Sequence, residues 1–176
     1  MVQQRCLWHA CAKGHVEVVE RLLTAGVNIE AAMSDGMTPL AAASLDGQLP
    51  VVKMLLDSGA NIDTSDEDGW NPLQFSAAQG HIEVVKILLA VGARNNTHDK
   101  NRSTPLHSAC WYGHAAVVKI LIAAVANIDT QNNESTTALF FGVPERSLGS
   151  GGETVGCWCQ PRYFVQDTQA HRTAHQ

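Results

Sequence analysis

Apolar positions return along this chain at a step of 33 residues. Leu7, Leu40, Leu73, Leu106 and Leu139 form one such line. The pairs Val18-Val19, Val51-Val52, Val84-Val85 and Val117-Val118 form a second. Leu22-Leu23, Leu55-Leu56, Leu88-Leu89 and Leu121-Ile122 form a third. Glycines keep the same step at 14, 47, 80 and 113, and again at 26, 59 and 92, where Val125 breaks the series. Within one period the pattern predicts two short helices. The first starts at Thr38-Pro39, Asn71-Pro72 or Thr104-Pro105, because Thr or Asn caps orphan N–H groups and Pro suits the first helical position. It stops at Gly47, Gly80 or Gly113, since Gly takes the left-handed conformation that closes a helix. The second carries apolar residues at Ile82, Val85, Leu88 and Leu89 and ends at Gly92, a helical stripe. A polar, turn-rich segment follows, the composition of a loop or hairpin. Pro50 falls in the first turn of a second helix, where Pro is tolerated.

A period of this length signals a solenoid. The elements that repeat in phase are Thr-Pro-Leu-His (Thr104 to His107), Gly-His-x-Glu-Val-Val (Gly80 to Val85) and Leu-Leu-x-x-Gly-Ala-Asn (Leu55 to Asn61). In these the chain resembles ankyrin repeats over residues 5 to about 141. The resemblance implies an all-α solenoid of helix-turn-helix units joined by short β-hairpin or turn loops. Its repeats fall at about 1–32, 33–65, 66–98 and 99–131, with a partial fifth at 132–141. Some positions depart from the family pattern. Arg5-Cys6-Leu7-Trp8 stands for Thr-Pro-Leu-His in the first repeat. Arg102 replaces the turn glycine of Gly36 and Gly69 and is expected to distort that hairpin. Arg94 and Asn96 alter the end of the third repeat. One repeat cannot bury its apolar face alone, and stacked neighbours make the core continuous.

The periodicity stops within the fifth unit. Residues 142–176 carry many Gly, Gln, Thr and His and read as an irregular or disordered tail. A functional tail is one reading. The sharper one is a shift of the reading frame by one nucleotide near Gly142. Trp158 has the single codon TGG and the Cys159 codon begins with T, so reading one nucleotide later forces Gly there. The same shift forces Ala or Val from Cys157 and from Cys159, and Asn or Ser from Gln160. With permitted codons throughout it spells ASQNGHLEVVVKLLVAGANPDI. Its Gly-His falls at 146–147, one period after Gly113-His114, and its forced Gly lies two periods after Gly92.

The bulk numbers narrow the class further. The chain has 176 residues, 45% of them hydrophobic and 16% charged, with mean hydropathy −0.07, the profile of a globular chain and not a disordered one. Its net charge of −5 offers no basic face for nucleic acid. No polybasic run addresses a membrane surface, and no apolar run reaches the length of a membrane span. The N-terminus lacks a signal-peptide pattern. The five cysteines lack disulfide spacing, which favours a reducing compartment, cytoplasm or nucleus.

Eight histidines raise the question of a metal. His15, His81 and His114 share one repeat position and His107 another. In the family these are structural, bonding loops and turns together. His171 and His175 lack an acidic partner motif. Cys11 and Cys110 share a position equivalent to Ser44 and Ala77, where small residues let helices approach; inert buried thiols are expected. Cys157 and Cys159 form only a lone Cys-x-Cys. No Walker loop, nucleophile elbow or kinase signature occurs. We therefore expect no enzyme activity, no cofactor and no metal.

The resemblance implies a concave face, built from hairpin tips and the exposed ends of first helices, that binds another protein. By period the hairpin residues are Ser34, Asp35, Met37, Glu67, Asp68, Trp70, Lys100, Asn101 and Ser103. The helix-end residues are Ala12, Lys13, Leu45, Asp46, Ala78, Gln79, Trp111 and Tyr112. Trp70, Trp111 and Tyr112 are anchor-type residues, with Met37 and Leu45 adding apolar surface. For Trp70, packing between repeats and binding stand level. Asp35, Asp46, Asp66, Glu67 and Asp68 make the face acidic near the second and third repeats. That is either a solvated surface or a device that steers a basic partner. The expectation is a monomeric scaffold with Met37, Leu45, Asp46, Asp68, Trp70, Trp111 and Tyr112 as partner-binding candidates. The alternative is a fragment of a larger ankyrin-repeat protein, such as a kinase, ligase or channel, with its effector domain elsewhere.

Overall fold

The computed structural model describes residues 2–142. The expectations for the tail, Cys157, Cys159, His171 and His175 lie outside the described residues. Among the described residues eight α-helices follow one another: α1 (Val2–Lys13), α2 (Val16–Thr24), α3 (Pro39–Leu45), α4 (Leu49–Asp57), α5 (Pro72–Gln79), α6 (Ile82–Ala90), α7 (Pro105–Trp111) and α8 (Ala115–Ala123). A single 3₁₀ turn spans Ala138–Gly142. Each odd helix packs on the next odd one, α1 on α3 on α5 on α7, and the 3₁₀ turn continues that row against α7. The even helices form a second row behind it.

The helix starts follow from local chemistry. The Thr38 hydroxyl accepts from Ala41 N at 3.2 Å, and Asn71 Oδ1 accepts from Gln74 N at 2.8 Å. Pro39, Pro72 and Pro105 occupy the first helical turn, where their missing N–H costs nothing. Outer helices begin at His15, Gln48, His81 and His114 with no side-chain cap.

The core runs the length of the solenoid. Leu7, Leu40, Leu73 and Leu106 are buried between the two rows, with Val19, Val52, Val85 and Leu121 from the outer helices. Burying each leucine side chain contributes about 1.5–3 kcal/mol. Ala10, Ala43, Ala77 and Ala109 line the inner row, and their small side chains let neighbouring helices approach. Cys11 and Cys110 are buried free thiols, and burial pushes Cys11 up to about 12.

Repeats are joined by a recurring polar bond. His81 Nε2 donates to Leu45 O at 2.9 Å, and His114 Nε2 donates to Ala78 O at 2.9 Å. The second repeat has no histidine there, and Gln48 Nε2 donates to Ala12 O at 3.2 Å instead. These side chains lie over the glycine that ends the preceding inner helix. A Cβ on Gly47 would sit 2.6 Å from the His81 ring, and one on Gly80 2.5 Å from His114. Those glycines also hold φ of 70° and 75°, so two independent demands exclude a side chain.

Candidate functional site

The hairpin tips are built on acid and amide side chains. Asp66 Oδ1 accepts from Asp68 N at 2.9 Å and Trp70 N at 2.8 Å. Asp99 Oδ1 accepts from Asn101 N and Ser103 N, both at 2.8 Å. Asn132 Oδ1 repeats this with Glu134 N at 3.0 Å and Thr136 N at 3.1 Å. In the first hairpin Met33 holds that position, and only Asp35 brackets the turn, accepting from Met37 N at 3.0 Å. Burial raises both Asp66 and Asp99 above the usual carboxylate range, against the lowering pull of these N–H bonds. Among the described residues the tips form no β-strand. A single antiparallel bridge joins Gln131 and Thr137.

Successive tips are bonded backbone to backbone. Glu67 N donates to Asp35 O at 2.8 Å, Lys100 N to Asp68 O at 2.9 Å, and Asn133 N to Asn101 O at 2.9 Å. These bonds place the tips in one row. Arg102 does not distort its hairpin as expected. Asp99 N still donates to Ser103 O at 3.0 Å, and Arg102 adopts φ 60° in the place of glycine. The departure is paid for in backbone strain.

A second tie runs from inner helix to next turn. His107 Nε2 donates to Thr136 O at 3.3 Å, while its Nδ1 accepts from Thr104 N at 3.3 Å. A carbonyl only accepts and a backbone N–H only donates, so the ring is the neutral tautomer protonated at Nε2. Burial holds His107 below the ordinary imidazole value, with the Thr136 carbonyl and the Asp99 charge pulling the other way. Gln74 holds the same place one repeat earlier and donates to Ser103 O at 2.9 Å.

The candidate residues separate on this scaffold. Trp111 is exposed at 37% and Tyr112 is half-buried beside it at the end of α7. Leu45 is half-buried and Asp46 exposed at the equivalent end of α3. Ala12 and Ala78, expected at helix ends on the face, are buried; their carbonyls receive the inter-repeat bonds of Gln48 and His114. Met37 and Trp70 occupy the same hairpin position in successive repeats and are both half-buried. The Trp70 ring leans on Phe75, centroids 5.3 Å apart at 41°, so part of its surface packs within the fold.

The acidic character is lower than the residue types imply. Asp66 turns inward to accept two N–H bonds of its own hairpin, and Lys100 pairs with Asp68 at 3.2 Å. An exposed pair of this kind contributes little stability, but it offsets the charge of Asp68. Asp46 and Glu67 remain exposed.

Among the described residues, no group of three or more His, Cys, Asp or Glu could hold a metal ion, and no helix is long and apolar enough to cross a membrane. A family model described as ankyrin repeats (3 copies) matches residues 2–66 and 59–133. No curated protein matches the chain.

Proposed function

We propose that this chain, which belongs to the ankyrin-repeat family, is a scaffold that binds a partner protein on the face formed by its hairpin tips and first-helix ends. Ankyrin repeats are in general protein-interaction modules and typically not enzymes. Trp111 carries the reading for this chain. The equivalent residues in neighbouring repeats are Ala12 and Ala78, both buried, and the half-buried Leu45. At the fourth repeat a large aromatic stands exposed instead, with Tyr112 next to it. Trp and Tyr are the side chains that most often dominate binding energy. Leu45, Met37 and the half-buried Trp70 extend apolar surface to the second and third repeats. Asp46, Asp68 and Glu67 set a mildly acidic rim that favours a basic or neutral partner. The cytoplasm or nucleus suits the reduced cysteines.

The test is affinity capture with the full chain, run beside Trp111→Ala/Tyr112→Ala and a control, Lys53→Ala, on the outer helix α4. A protein retained by the wild type and the control, and lost by at least tenfold with the double variant, supports the reading. Equal capture by all three removes it. The double variant should melt close to wild type; loss of folding would instead make the pair part of the core.

A further inference from the structure

One exposed hydroxyl stands at the head of the densest run of charge in the chain. Asp66, Glu67 and Asp68 are the only three consecutive acidic residues in the sequence, and Ser65 comes directly before them. The equivalent positions in other repeats are Ala32, His98 and Gln131, none of which carries a hydroxyl. Ser65 is exposed, and Thr64 beside it is half-buried. The other exposed serines among the described residues are Ser34, Ser58 and Ser135. Within the three positions after each of them stands one carboxylate at most.

The hairpin decides which of the three acids face solvent. Asp66 turns inward, its Oδ1 accepting from Asp68 N at 2.9 Å and Trp70 N at 2.8 Å. Side chains alternate along an extended segment, and the residues on either side, Ser65 and Glu67, are both exposed. Asp68 is exposed as well. Its ion pair with Lys100 is a loose surface contact, the two side chains being 76% and 65% accessible. Such a pair contributes little, so a competing cation displaces the lysine at small cost. The backbone is pinned on both sides: Asp66 N donates to Trp70 O at 2.9 Å, and Glu67 N to Asp35 O at 2.8 Å. The hydroxyl and the two outer carboxylates therefore keep a fixed spacing on the surface.

We infer that Ser65 is a phosphorylation site for an acidophilic serine/threonine kinase, one that takes its substrate in a basic groove. Kinases select substrates by charge pattern, attracting the complementary one and rejecting others. A hydroxyl with carboxylates two and three residues on suits a groove lined with Arg and Lys. It offers nothing to a kinase that reads basic residues, because positions 60–64 hold no Lys or Arg. In the transfer, Ser65 Oγ attacks the γ-phosphorus of ATP. The new O–P bond forms as the bond from that phosphorus to the β,γ-bridging oxygen breaks. ADP leaves with that oxygen, and the hydroxyl proton passes to a base of the kinase. The phosphate adds about −1.5 to −2 charge at neutral pH. A tip at which Lys100 offsets Asp68 thereby becomes strongly anionic. The site stands whether or not the concave face binds a partner.

The test is phosphate transfer to the folded full-length chain from a purified acidophilic serine/threonine kinase and Mg-ATP, with positions read by mass spectrometry. Ser65 should be phosphorylated, and Ser58 and Ser135, which lack an acidic run, should not. Ser65→Ala serves as the blank for the neighbouring Thr64. Glu67→Gln/Asp68→Asn should slow transfer to Ser65 at least tenfold. Lys100→Ala should leave it equal or faster, because Asp68 is released. Leu73→Ala empties a buried site and destabilises the fold, and it should not change the rate. No phosphate on Ser65, phosphate on Thr64 in its place, or a double acidic variant as fast as wild type overturns the proposal. So does slower transfer with Lys100→Ala. A rate that rises with Leu73→Ala overturns it too, because labelling that follows the open population reads the unfolded chain.

Discussion

Gln48 Nε2 donates to the Ala12 carbonyl oxygen at 3.2 Å, in the place that an imidazole fills at His81 and His114. An amide and an imidazole share one requirement here, an N–H at the reach of Nε2. The preference at this position is therefore for a donor and not for a titrating ring. His81→Ala leaves the Leu45 carbonyl without this donor and should cost roughly 1–2 kcal/mol. His81→Gln should recover most of that loss. Denaturation of both variants decides it, and equal destabilisation would show that the ring acts through packing alone.

Val125 holds φ 62° at the position where Gly26, Gly59 and Gly92 stand. A β-branched residue in that region is strained, and at 81% exposure its side chain has little packing to lose. Val125→Gly should raise stability by about 0.5–1 kcal/mol after the extra unfolded-state entropy of glycine is counted. A fall in melting temperature would contradict this.

His107 gives the fold a pH dependence of predictable sign. Burial lowers its folded-state value below the ordinary 6.5, so the unfolded chain takes up the proton first. Stability is full above about 6.5 and falls as the pH drops below it. Asp66 and Asp99 act the other way. Their raised values mean that the folded state is protonated first, and stability returns as acid approaches 3.8. His107→Gln copies the bond that Gln74 already makes and removes only the first slope. Melting curves between pH 7 and 5 should be flatter for this variant than for wild type.

The leucine series offers an internal control on burial. Leu106→Ala empties a fully buried site and should cost about 2–5 kcal/mol. Leu139→Ala in the 176-residue chain, where the side chain is 46% exposed, should cost less than about 1 kcal/mol. A large loss at Leu139 would show that something covers it.

The helices were legible because their signals are local. Thr, Asn and Pro at the starts, glycine at the stops and a 33-residue step placed α3 through α8 from the sequence. The inter-repeat histidines were also legible, since the family resemblance implies their role. The roles of Gln48 and Gln74 were not, because each donates to a carbonyl 29 or 36 residues away and nothing local marks that pairing. For the same reason the carboxylates looked like free surface charge. Asp66 turned out to bracket its own turn, and Asp68 to meet Lys100 one repeat on. The burial of Ala12 and Ala78 depends on the neighbouring repeat as well. Arg102 failed as a forecast of distortion because its neighbours, through Asp99, hold the hairpin closed and push the misfit into one dihedral.

The backbone bonds that run from tip to tip separate spacing from chemistry. Main-chain atoms of Asp35, Glu67, Asp68, Lys100, Asn101 and Asn133 set the pitch of the row, so most side chains there are spectators of their own alignment. Apart from the carboxylates and amide that close each turn, such as Asp66, Asp99 and Asn132, a tip residue can be exchanged for another of different charge or size while its neighbours stay in place. Such a surface works like a typesetter's rule. The slots are cut once, and what is printed from them can change letter by letter.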